Sequence, residues 1–143
     1  MSSLFEAAHF LEVPSRNKPL QSELQYLKYV ERGLPFRSLA RLAGAFAPND
    51  ATFCYRIVPK ATYARCKVSG RLSKAQGERV TRLAAVWNDA LSVWKTDDAV
   101  RAFLYRAHPL LDNRPPVDIA LDSEPGAQLV RDILGRLEHG SAV

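Results

Sequence analysis

Side chains that commonly perform catalysis or bind metals are scattered along this sequence. The histidines His9, His108 and His139 have no cysteine or carboxylate at the spacing that a metal site requires. Cys54 and Cys66 lie twelve positions apart without a CxxC pair, and a glycine-rich phosphate loop is absent from the sequence. We therefore expect no enzyme, with no catalytic residue, no metal and no cofactor. For His108, we expect a loop histidine satisfied by the backbone rather than a ligand or base.

The cationic residues are concentrated instead. The net charge of the 143-residue chain is +5, yet residues 56–82 hold eight Lys or Arg and only Glu78 as an acid. Residues 83–143 are net acidic. This asymmetry indicates two partners, one of them a polyanion. A solvated basic face without a partner remains the alternative at this point.

The basic window contains a short helix, predicted from Pro59 to Lys67, that follows two other short helical segments at 36–46 and 51–56. Short helices separated by tight breaks are typical of a helix-turn-helix unit, whose second helix enters the major groove of DNA. We expect Ala61, Ala64 and Val68 to face inward. The candidate DNA-binding residues are Lys60, Thr62, Tyr63, Arg65, Lys67 and Arg71, which supply cations for phosphates and hydrogen-bond donors. A plain helical bundle with a basic face is the alternative.

Apolar periodicity predicts an all-α fold. Residues 1–21 show no sustained period and are expected to form a flexible segment. A helix with a Ser22–Gln25 capping box is predicted next, and the longest helix spans about 74–94 behind a Ser73–Gln76 capping box. We expect a helix-turn-helix DNA-binding and dimerisation domain at 22–94 and a second small helical domain at 95–143.

The second domain is predicted to begin with a helix at 98–106 capped by Asp97. The proline-containing segment 108–124 is long for a structureless loop, so a short helical turn is expected near 116–120. A final amphipathic helix starts at Pro125. No apolar run approaches the length of a membrane span, and the sequence favours a cytoplasmic protein that does not contact a membrane.

Three stretches also resemble a known family, the Xre/MbcA/ParS-like antitoxins of bacterial type II toxin–antitoxin modules. Residues 62–67 (Thr-Tyr-Ala-Arg-Cys-Lys) and 70–73 (Gly-Arg-Leu-Ser) resemble its recognition helix and the following turn. Residues 108–118 are similar to its Asn-Pro-x-Leu-Gly-Gly-x-x-Pro-x-Asp signature. The stretch from Asp122 to Gly140 resembles its final helix, ending in Leu-Gly-Arg-Leu-Glu-His-Gly.

The chain departs from the family pattern at a few positions. Cys66 replaces an arginine, Arg56 stands where a turn glycine is common, and His108 replaces asparagine. Asp112 and Asn113 replace a glycine pair, and these two residue types tolerate left-handed backbone better than most.

The resemblance implies that the N-terminal helices bind operator DNA and that the C-terminal part neutralises a toxin, best known for this signature as a RES-fold toxin that destroys NAD. Because an operator-binding helix-turn-helix protein usually needs two copies to span two half-sites, we also expect a homodimer or higher oligomer and look first at helices 36–46 and 74–94. The expected toxin-binding residues are Arg114, Asp118, Asp122, Arg136, Glu138 and His139, followed by a Ser141-Ala142-Val143 tail. The alternative is a helical interaction or dimerisation module, or a transcriptional regulator without a toxin partner.

Overall fold

The protein, seen here in a computed structural model that describes residues 3–15 and 17–140, is all-α as predicted. Within these residues its secondary structure consists of helices and three isolated β-bridges. The α-helices are α1 (Leu4–Leu11), α2 (Glu23–Arg32), α3 (Arg37–Phe46), α4 (Lys60–Ser69), α5 (Lys74–Trp94), α6 (Asp97–Tyr105), α7 (Pro116–Asp122) and α8 (Glu124–Glu138). Two 3₁₀ turns, Phe53–Arg56 and Pro109–Leu111, connect them.

Helix α5 is the central element, and its predicted bounds are confirmed. Its start has the predicted capping box, in which Ser73 and Gln76 satisfy each other's backbone N–H groups. Val80, Leu83 and Trp87 are buried, and α5 packs against both the N-terminal helices and α6, α7 and α8. Trp94, at the end of the same apolar face, is 38% exposed.

The N-terminal segment is not loose along its whole length, so the expectation of a flexible segment over 1–21 is wrong for Leu4–Leu11. Ser3 and Glu6 form a capping box at the start of α1. Ala7, Ala8 and Leu11 are buried, and α1 packs on α5 and α2. These apolar residues recur at i, i+3, i+4 and i+7 from Leu4, a helical pattern only two turns long.

Several helix starts differ in detail from the prediction. The N-cap of α6 is Thr96, whose hydroxyl accepts the Ala99 N–H, and Asp97 is the first helical residue. At α2 the Ser22 hydroxyl accepts the Gln25 N–H, but the Gln25 side chain accepts from Gln21 instead of completing a box. The helix expected at 51–56 is the 3₁₀ turn Phe53–Arg56, whereas α7 bears out the helical turn expected near 116–120.

One hydrophobic core runs through the N-terminal and C-terminal halves. The rings of Phe46 in α3 and Trp87 in α5 lie 5.3 Å apart. From α6, the Tyr105 hydroxyl donates to the Phe46 carbonyl at 2.9 Å, and Arg101 Nε donates to the Ala45 carbonyl at 2.8 Å. Both halves are therefore joined by apolar packing and hydrogen bonds, and the division at residues 94 and 95 stays a prediction.

Across the described ranges, the helices lack the combination of length and hydropathy that crossing a membrane requires.

Candidate functional site

The turn that leads into α4 is fixed by buried residues. Phe53, Ile57 and Val58 are buried, and Arg79 Nη1 from α5 donates to the Ile57 carbonyl at 2.9 Å. Positive φ angles are absent between Phe53 and Val58, so this turn forms with Arg56 in place of a glycine. The 3₁₀ turn Phe53–Arg56 and α4 are thus the two helical segments on either side of the predicted turn, and Arg79 connects that turn to α5.

The predicted inward face of α4 is wrong. Ala61, Ala64 and Val68 are exposed, and 89% of Val68 is accessible to solvent. The side that packs against the bundle carries Tyr63 and Cys66 instead. Alanine and valine occur both in the cores and on the surfaces of proteins. Three such residues at helical spacing therefore do not determine which face of a helix is buried.

Tyr63, one of the candidate DNA-binding residues, therefore packs towards the bundle. Its ring lies edge-on to Phe36 and to Tyr55, each at a centroid distance of 5.2 Å. Partial desolvation raises the pKa of Tyr63, with Cys54 and Tyr55 adding to the increase, so its hydroxyl keeps its proton at neutral pH. Thr62 is also half-buried, and its hydroxyl donates to the Pro59 carbonyl at 3.0 Å.

The cations of this region point to solvent. Lys60, Arg65, Lys67 and Arg71 are all exposed. In the ranges that the structure describes, Lys60, Arg65 and Lys67 form no ion pair with a carboxylate. Lys60 Nζ lies 5.8 Å from the Tyr55 ring centroid, and Arg71 Nη1 reaches the Arg32 carbonyl at 3.4 Å. An unneutralised cationic surface of this kind suits the phosphates of DNA.

The loop at 108–114 has a defined backbone. Asp112 and Asn113 adopt φ angles of 55° and 60°, which confirms that they supply the left-handed geometry expected of them. His108 Nδ1 accepts the Leu110 N–H at 3.1 Å, so the prediction of a backbone-satisfied histidine is also confirmed. The side chain of His108 caps the 3₁₀ turn as an asparagine would.

The six residues predicted to contact a toxin do not form one cluster. Arg114 and Asp122 pair with each other at 3.2 Å, while Asp118 pairs at 2.7 Å with Arg56 in the N-terminal half. Glu138 accepts a hydrogen bond from Ser92. Arg136 and His139 are exposed near the end of α8. The three-residue tail at 141–143 lies outside the described residues, and the toxin-binding roles stay predictions.

An apolar groove of about 390 Å³ lies beside this loop. Trp94 and Phe103 form its aromatic wall with centroids 5.7 Å apart, and Ala99, Ala102, Ala107, His108, Arg106 and Leu137 complete it. This groove was not predicted from the sequence, where Trp94 and Phe103 are two further apolar residues at helical spacing. Helical periodicity shows that such residues share a face and does not show whether another helix covers it.

The described residues contain no group of three His, Cys, Asp or Glu side chains able to hold a metal ion. Cys54 and Cys66 are free thiols.

Comparison with known proteins matches each half of the chain to a domain family. Residues 25–85 match the Antitoxin Xre-like helix-turn-helix domain, and residues 82–140 match the Antitoxin Xre/MbcA/ParS C-terminal toxin-binding domain. The chain belongs to the Xre/MbcA/ParS antitoxin family. This family comprises DNA- and toxin-binding regulators rather than enzymes.

A curated relative, Antitoxin Xre of Yersinia enterocolitica, is 33% identical over an alignment of 86 residues, and the match covers 58% of this chain and 57% of the relative. The match therefore spans little more than half of that relative's length. The two antitoxin domain matches meet within α5, at residues 82–85. All the residues that line the apolar groove fall inside the range of the C-terminal domain.

Proposed function

We propose that this chain is a cytoplasmic antitoxin that neutralises a cognate toxin through its C-terminal half and represses its own operon through α4. The observation that carries the proposal is the exposed cationic surface of α4 within a helix-turn-helix domain, joined by one core to a toxin-binding domain. These two surfaces account for a basic N-terminal and an acidic C-terminal region in one chain.

On the DNA side, Lys60 and Lys67 bind phosphates, because both are exposed and neither has a carboxylate partner in the described ranges. Replacing both with alanine is expected to weaken promoter binding and to reduce the slope of log K against log salt by about two. Arg65 is the better candidate for contact with a base edge, worth about 1–3 kcal/mol at one base pair.

The matched control is Lys18→Ala with Lys28→Ala, which removes the same charge from exposed positions outside α4. Titration of a labelled promoter fragment at several salt concentrations measures both variants. An unchanged affinity and slope in the α4 variant, or equal losses in both variants, would show that α4 is not the DNA-binding face.

On the toxin side, the apolar groove takes an apolar side chain of the toxin, and the charged residues of 114–122 and 136–139 surround that contact. Protein interfaces commonly bury aromatic residues at their centre with polar residues at the rim. Trp94 and Phe103 provide such a centre within the matched toxin-binding range.

The toxin is proposed to be of the RES fold and to degrade NAD, which is supported by the resemblance of residues 108–118 to the family signature. Co-expression of residues 1–143 with the adjacent toxin gene is expected to restore growth and cellular NAD. Ala102→Glu places a charge in the groove at an exposed position and is expected to abolish protection, whereas Ala40→Glu on exposed α3 is expected to retain it.

Protection by both variants would reject the groove as the toxin contact. A toxin that arrests growth without lowering NAD would reject the RES assignment alone.

A homodimer or higher oligomer is proposed because helix-turn-helix proteins usually bind two half-sites about one turn of DNA apart. The large apolar residues of α3 are buried within the chain, whereas Phe5, Leu24 and Leu27 on α1 and α2 are exposed. Analytical ultracentrifugation with and without promoter DNA tests this part. A monomer under both conditions would contradict it.

A further inference from the structure

The face of α4 directed away from the bundle is apolar at its centre. Successive residues of an α-helix are rotated by about 100°. Because Thr62, Tyr63 and Cys66 mark the side that faces the bundle, the opposite side is occupied by Ala61, Ala64 and Val68. We call these three residues the apolar stripe.

Cations border the apolar stripe on both sides. By the same rotation, Lys60 and Lys67 lie along one border and Arg65 along the other, and all three are exposed. The 27 residues from 56 to 82 contain Glu78 as their single acid. The surface therefore pairs an apolar centre with positive borders.

We propose, resting on the DNA-binding function above, that the apolar stripe contacts the C5-methyl groups of thymines in the major groove. Thymine presents a methyl group at its major-groove edge, and small apolar side chains contact it there. Alanine also lets the helix approach the base edges closely. The lysines at the border are then placed for the phosphates that flank the groove.

The charge pattern favours DNA over a protein as the occupant. Protein interfaces are depleted of lysine at their cores, whereas a DNA groove is lined by phosphates on both sides of the bases. The apolar stripe bordered by lysine and arginine matches the second arrangement.

The experiment uses the promoter fragment prepared with thymidine or with deoxyuridine, which lacks the C5-methyl group. The full-length protein is expected to bind the deoxyuridine fragment about fourfold more weakly for each contacted methyl group. A variant with Ala61→Ser, Ala64→Ser and Val68→Thr is expected to bind both fragments equally. A control with Ala40→Ser and Leu129→Thr, at exposed positions of α3 and α8, is expected to keep the wild-type ratio.

The outcomes separate this proposal from the function on which it rests. If the wild type binds the promoter specifically but does not distinguish the two fragments, the methyl contact is overturned and DNA binding stands. If the stripe variant instead loses self-association in ultracentrifugation and keeps the wild-type fragment ratio, the occupant is a protein. Absence of any promoter binding overturns both proposals. Circular dichroism of the stripe variant checks that α4 is retained.

Discussion

The buried hydroxyl of Tyr26 makes the stability of the fold depend on pH. Tyr26 is fully buried, and its hydroxyl lies 2.6 Å from Thr81 Oγ1. Because Thr81 donates its own proton to the Gly77 carbonyl at 2.8 Å, Tyr26 is the donor in this pair. Burial raises the pKa of Tyr26 to about 12.

This pKa predicts a loss of stability at alkaline pH. The unfolded tyrosine ionises near pH 10 and the folded one near 12, so stability from this residue is complete below pH 10 and falls as the pH rises towards 12. The loss amounts to about 3 kcal/mol at most. Tyr26→Phe is expected to be less stable by about 1 kcal/mol at pH 7 and to lack this decline.

Urea unfolding at pH 7 and pH 11 measures the difference in unfolding free energy between the wild type and Tyr26→Phe. Other groups that ionise at alkaline pH are present in both proteins, so their effects cancel in this difference. A stability difference that is the same at both pH values would show that Tyr26 ionises normally in the folded protein.

At the scale of elements, α7 and α8 approach each other closely at Gly126. A Cβ at this position would lie 2.3 Å from the Ile119 carbonyl oxygen in α7. Gly135, in the same helix, has no neighbouring atom within 4 Å of such a Cβ. The two glycines therefore have different physical reasons for being present.

Gly126→Ala is expected to lower the free energy of unfolding by about 1–3 kcal/mol, because the backbone of α7 must shift. Gly135→Ala is expected to raise it by up to about 1 kcal/mol, since alanine favours helix formation. Thermal and urea unfolding measure both variants. Equal effects at the two positions would contradict the close approach of α7 and α8.

The elements also show which features sequence patterns could predict. A capping box and a long apolar period located α5 correctly, because both signals are local. Helix α1 was missed because its pattern covers only two turns. The predicted orientation of α4 was wrong because residue type alone does not separate its two faces. Tyr63 and Cys66 can lie on a surface, and Ala61 and Val68 can lie in a core. The packing of Tyr63 on Phe36 and Tyr55 decides which face is buried.

At the scale of the whole molecule, the continuous core predicts that both halves unfold together. Leu39→Ala in α3 and Ile133→Ala in α8 are each expected to cost about 2–5 kcal/mol, as usual for buried aliphatic residues. Each substitution is expected to shift the far-ultraviolet and tryptophan fluorescence transitions to the same extent. Separate transitions for the two probes in either variant would show that the halves are independent.

Trp87 and Asp89 stand two positions apart on α5 and face different neighbours. Trp87 packs its ring against Phe46 of α3, and Asp89 binds Arg131 of α8 at 2.7 Å. Recombination within α5 would join halves from two different proteins, so the residues of α5 would meet neighbouring helices with which they do not pack. We therefore expect the partner specificity of this chain to change more readily by surface substitutions that leave α5 intact than by an exchange of whole halves within α5. Changes of partner are expected to accumulate around an α5 that is inherited intact.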